Sequence, residues 1–176
     1  MLKRLHDPDR LVPLALLTAS AAALAAAFAG EHLFGLQPCI LCLYERVPYA
    51  VVLVLAGLAL FLPVDRRHRA FMVAACGIVF AAAAGLAVYH VGVEQHWWSA
   101  IAGCAGALPE TMTIESLKAE ISAPSPRKPC DEVDWRLFGI SLAGYNAIAS
   151  AVLAAASFAG ARLLFSEQRR SRRSAF

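Results

Sequence analysis

Charge is scarce in this sequence. Of its 176 residues, 16% are charged and 59% hydrophobic, whereas a soluble domain usually carries about 25% charged residues; an ordinary soluble domain is excluded. Asparagine occurs once, as Asn146 within an apolar run, where it reads as a helix–helix hydrogen bond and not as a catalytic group. A second closely spaced cysteine pair is also missing. The five cysteines are Cys39, Cys42, Cys76, Cys104 and Cys130, and only the first two stand close together. A ribbon-type zinc site needs two such pairs, so even with His32, His90 and His96 nearby no metal site is expected. Nor is there a nucleic-acid patch: the arginine-rich tail serves as a topology and anionic-lipid anchor.

What is present is apolar sequence in runs. A bilayer core of about 30 Å takes roughly 20 apolar residues per helix, and four uncharged runs approach that length: 11–30, 47–64, 70–89 and 137–161. They leave no room for a second soluble domain. Residues 1–176 are therefore read as one integral membrane domain, an all-α bundle of four transmembrane helices with outer loops at 31–46 and 90–136. Lys3, Arg4 and Arg10 ahead of the first run resemble the start of a secretory signal. Its 20 apolar residues exceed the roughly 7–15 of a signal core, which favours a retained anchor helix.

Positive charge sets the orientation. Lys3, Arg4, Arg10, Arg66, Arg67, Arg69, Arg162, Arg169, Arg170, Arg172 and Arg173 fall on one side, and only Arg46, Lys118, Arg127, Lys128 and Arg136 on the other. Both termini are expected in the cytoplasm, with the two loops facing outward. Four of the cysteines then lie on the outer side, which in a bacterium is oxidising. Cys76 sits mid-helix among alanines as a small apolar filler.

Cys39 and Cys42 fall where the second helix begins. A CxxC spacing, a helix N-terminus and a nearby cation each lower a thiol pKa, and here they coincide. With a helix starting near Leu41, Cys42 and Arg46 share a face, placing a thiolate at Cys42 beside a guanidinium at the membrane boundary. In the long outer loop, Ile114, Leu117 and Ile121 recur at helical spacing and predict a short amphipathic helix lying on the membrane surface. Three prolines between Ser122 and Cys130 predict an extended segment. Trp97, Trp98 and Trp135 read as interface anchors.

"PCILCLYERVPY" opening the second run, "YHVGVE" closing the third, "GCAG" in the loop and "PCDEVDWRLFGISLAGYN" entering the fourth together resemble the disulfide bond formation protein B family, DsbB. The resemblance spans about residues 8 to 165. It implies a four-helix bundle in the bacterial inner membrane that reoxidises a periplasmic DsbA-like thiol oxidase and passes electrons to a membrane quinone, ubiquinone or menaquinone, and so to the respiratory chain. By matching motif, Cys104 would be attacked by the partner's thiolate and Cys130 would relay electrons to Cys39. Cys42 would face the quinone, supported by Arg46, and His90 would lie near the quinone. Glu94 stands where other members often have glutamine, which weakens the transfer for His90.

Two alternatives carry other functions. A vitamin K epoxide reductase-like protein would place its loop cysteines ahead of the CxxC, the reverse of the order here. A metal-binding or disulfide-braced structural module would consume no quinone.

Overall fold

The computed structural model describes residues 7–99, 114, 128–133 and 135–173. Four helices dominate: α1 (Pro8–Leu33), α2 (Ile40–Phe61), α3 (Arg66–Glu94) and α4 (Leu142–Arg173). All four are long and apolar enough to cross a membrane. A two-stranded antiparallel hairpin, β1 (Arg136–Leu137) and β2 (Ile140–Ser141), leads into α4.

Polar caps start the helices. The Asp7 carboxylate accepts from the Asp9 amide with Pro8 at the first helical position, and Asp65 accepts from the His68 amide; each satisfies a donor that the first turn leaves free. At α2 the cap is Cys39, whose sulfur accepts from the Cys42 amide.

The core lies between the helices and is built largely of small side chains. Val52 and Ala56 of α2, Val73, Cys76 and Phe80 of α3 and Leu164 of α4 are fully buried, with Leu16 of α1 beside them. Such residues let apolar helices approach closely enough for dispersion contacts to hold them, since lipid supplies no hydrophobic drive. Val54, Ile78 and Val152 are exposed on the outside of the bundle, where a membrane protein meets lipid. At the end away from the CxxC, Arg66 reaches Asp9 at 2.7 Å and Glu167 at 3.4 Å, tying α1, α3 and α4 together.

The helix starts differ from the bounds of the uncharged runs: α1 and α3 begin at Pro8 and Arg66, three and four residues ahead of 11 and 70. The second helix begins at Ile40, seven residues ahead of its uncharged run and next to the start near Leu41 expected from the CxxC, and so takes in the buried Glu45 and the partly exposed Arg46. Pro48 consequently sits two turns into α2, and the Tyr44 carbonyl loses its helical donor. The fourth helix begins at Leu142 and not 137. Residues 136–141 form the hairpin instead, turned by Phe138 at φ 51° and Gly139 at φ 81°, the left-handed pair that a tight two-residue turn demands. The predicted amphipathic helix lies, apart from Ile114, outside the described residues.

Candidate functional site

The start of α2 and the end of α3 build the site. An N-cap side chain points back over the first turn, so Cys39 is folded onto the amide of Cys42 at 3.2 Å, and the two sulfurs stand 2.9 Å apart as free thiols. His90, near the end of α3, brings Nε2 to 3.5 Å from the Cys39 sulfur. Cys39 and His90 are buried and Cys42 is half-buried. The Cys39 thiol is held far below its ordinary 9.0, at about 4, first by the hydrogen bond with Cys42 and then, against the opposing cost of burial, by His90 and the Cys42 amide.

Behind His90 lies a buried polar chain. Its Nδ1 stands 2.8 Å from Glu45 Oε1, and Glu45 Oε2 accepts from the Asn146 side-chain amide at 2.7 Å. Asn146 Oδ1 accepts in turn from the Tyr49 hydroxyl at 2.6 Å, and Tyr49 meets Ser150 at 3.0 Å. The chain crosses α2, α3 and α4, and each link satisfies a group that lipid would leave bare. Asn146 thus makes the helix–helix hydrogen bond expected of it. With Nδ1–H donating to the carboxylate, Nε2 is the nitrogen that can exchange a proton with Cys39.

Arg46 is placed differently from the expectation that it sits against a Cys42 thiolate. Its Nη1 binds Glu31 at 2.7 Å, and the guanidinium lies over the Phe28 ring, 5.0 Å from the centroid. The last two turns of α1 supply both partners on the face of α2 that carries Arg46. The groups that stabilise a thiolate converge on Cys39, the capping residue.

Cys130 is disulfide-bonded and buried, in one cluster with Cys39, Leu41 and Val93. Asp131, beside it, stands 3.8 Å from the exposed His96. Cys104 lies outside the described residues. Trp98 closes the end of α3: its indole donates to the Tyr89 carbonyl at 2.9 Å and stacks on the Tyr89 ring. A side chain on Gly92 would stand 1.9 Å from the indole, so only glycine admits this contact.

Glu45 and Tyr49 are the functional candidates that sequence reasoning passed over. A usable signal was present for Glu45, since a carboxylate in an apolar helix is costly unless it has a task.

The comparisons agree with this architecture. A family model described as disulfide bond formation protein DsbB matches residues 9–160. A disulfide bond formation protein B of Acinetobacter baumannii is 28% identical over 137 residues, covering 76% of this chain and 79% of its own. The protein of that name from Xylella fastidiosa is 32% identical over 119 residues, 61% of this chain and 64% of its own. An uncharacterised Rickettsia prowazekii protein is 28% identical over 142 residues, 80% of each chain. No solved structure matches. A four-helix membrane architecture, a CxxC pair at a helix start and a family match over most of the length lead to one conclusion: the chain belongs to the disulfide bond formation protein B family, as an oxidoreductase acting in disulfide bond formation.

Proposed function

We propose that this protein is a thiol:quinone oxidoreductase of the bacterial inner membrane. It oxidises a DsbA-like dithiol protein in the periplasm, with both termini in the cytoplasm. One observation carries the reading: a CxxC whose sulfurs lie 2.9 Å apart sits against His90, in one cluster with the disulfide-bonded Cys130.

The relay is a series of thiolate attacks on disulfides, each forming one S–S bond as another breaks. The partner's thiolate attacks Cys104 and releases Cys130 as a thiolate. Cys130 attacks Cys39, forming the Cys39–Cys130 bond and releasing Cys42. The partner's second thiolate then attacks its own cysteine in the mixed disulfide, which leaves the partner oxidised and frees Cys104. Cys104 closes again on Cys130 and expels Cys39 as a thiolate. A low-pKa thiol leaves faster, and the Cys42 amide and His90 are placed to make Cys39 such a leaving group. Cys39 and Cys42 are then a dithiol with two electrons to give.

The donor set fits a quinone. Arg46 and His90 carry hydrogen-bond donors suited to ring oxygens, and the half-exposed Phe28 under the Arg46 guanidinium and the exposed Val47 next to it in sequence offer apolar surface. When bound, the quinone accepts the two electrons and two protons that re-forming the Cys39–Cys42 disulfide releases. Glu45 fixes the His90 tautomer so that Nε2 holds the Cys39 proton until it is passed on, and Arg46 offers positive charge where negative charge develops.

The test is quinone reduction by the purified full chain supplied with a reduced CxxC protein, using ubiquinone and menaquinone in turn. Turnover that is lost in Cys42→Ser supports the reading. No turnover with either quinone and several reduced partners would sink it.

A further inference from the structure

We propose that the reduced Cys39–Cys42 pair and His90 form a three-ligand binding site for a thiophilic divalent cation of the zinc class. One potential ligand atom from each residue is present, and all three lie within 4.8 Å of one another. Zinc takes sulfur at roughly 2.3 Å and imidazole nitrogen at about 2.0 Å, and tetrahedral sulfurs stand about 3.8 Å apart. The sulfurs are 2.9 Å apart and the Cys39 sulfur is 3.5 Å from Nε2. Opening the sulfurs by less than an ångström, through a side-chain rotation at half-buried Cys42, therefore admits the ion.

The surroundings have the features of a built metal site. A metal-binding histidine ordinarily gives its other ring N–H to a carboxylate, which fixes the ring and strengthens the ligand. His90 has that arrangement with Glu45, and Glu45 is held by Asn146. Leu41 and Val93 make the wall apolar, which strengthens charge–ligand attraction by excluding water. Three protein ligands would leave a fourth tetrahedral position for water.

Binding involves no electron transfer and releases two protons, that of the Cys42 thiol and the one that Cys39 has given to His90 Nε2: two thiolates and a neutral imidazole take the place of a thiolate, a thiol and an imidazolium. The disulfide form offers no thiolate, so the cation binds the dithiol state alone and opposes its oxidation. The spacing rule that argued against a metal looked for a second cysteine pair along the chain. The third ligand instead arrives from a helix 51 positions away.

The experiment uses the full chain in detergent with Cys104→Ser and Cys130→Ser, so that no loop dithiol competes. Reduced, metal-free protein is titrated with Zn²⁺ against a chromophoric chelator, with neither quinone nor partner present; the result therefore stands or falls apart from the oxidoreductase reading. One equivalent is expected in the reduced protein and none after oxidation of the CxxC. Cys42→Ser, nearly isosteric, should abolish tight binding. His90→Ala should weaken it at least tenfold, and Glu45→Gln by roughly 10- to 100-fold. Binding that survives Cys42→Ser, or that is unchanged in a folded His90→Ala, overturns the site, as does no binding by the reduced protein.

Discussion

His90 Nδ1 and Glu45 Oε1 lie 2.8 Å apart in the interior, joining helices whose partners are 45 positions apart in sequence. Glu45→Gln preserves shape but exchanges an acceptor for an amide that can present the wrong group to Nδ1. Turnover with reduced partner and quinone should fall by roughly 10²-fold, the usual value of a positioned acid or base, with an altered pH–rate profile. Wild-type rates across the whole pH range would show that the carboxylate does not act through His90.

Cys39 should be a thiolate in reduced, chelator-treated protein at pH values where an ordinary thiol is protonated. Its pKa is depressed on folding, so its contribution to the stability of the reduced state is complete above 9.0 and is lost as pH falls through about 4. Thiolate ultraviolet absorbance should therefore persist into the acid range, and His90→Ala should move the midpoint upward. A single transition near 9.0 in the wild type would contradict the arrangement at the helix cap.

Arg46 is a fork held between Glu31 and the face of Phe28. Lysine keeps the charge but loses the planar contacts, so Arg46→Lys should raise the apparent KM for quinone. Because the ion pair is partly exposed, the cost in stability should stay within about 1 kcal/mol. An unchanged KM would remove Arg46 from the quinone site.

Gly92 admits the Trp98 ring where a methyl group would collide with it. Gly92→Ala should cost about 1–3 kcal/mol, as overpacking does, and should change the near-ultraviolet circular dichroism of the tryptophans. Thermal unfolding in detergent checks the first and spectra of the folded variant the second. A neutral substitution would mean that the indole is not seated there.

The four helices were legible because the apolar runs are long, and the CxxC marked where the second begins, but the runs themselves did not give the helix ends. A search for uncharged runs stops at Arg46, although that charge is answered by Glu31 and Glu45 is answered by His90 and Asn146. The hairpin ahead of α4 was hidden because its turn pairs Gly139 with the apolar Phe138, so that the stretch reads as a continuation of the apolar run. Cys39, Cys42, Arg46 and His90 could be named in advance from local motifs. That Cys39 collects the thiolate-stabilising groups, and that Glu45 stands behind His90, are facts of helix rotation and pairing across the bundle. Neither is written in any local spacing.

An odd number of sulfhydryls is hazardous in a protein that trades disulfides, because the spare one can be captured into a wrong linkage. Cys76 is fully buried midway along α3, on the same rigid rod as His90 and 14 positions from it. At about 1.5 Å of rise per residue, that rod sets it roughly 21 Å along the helix from His90, the residue in contact with the exchanging Cys39 sulfur, while a disulfide closes at about 2.05 Å. Helical geometry acts here as insulation: the fifth sulfur is out of the circuit without having to be absent from the chain.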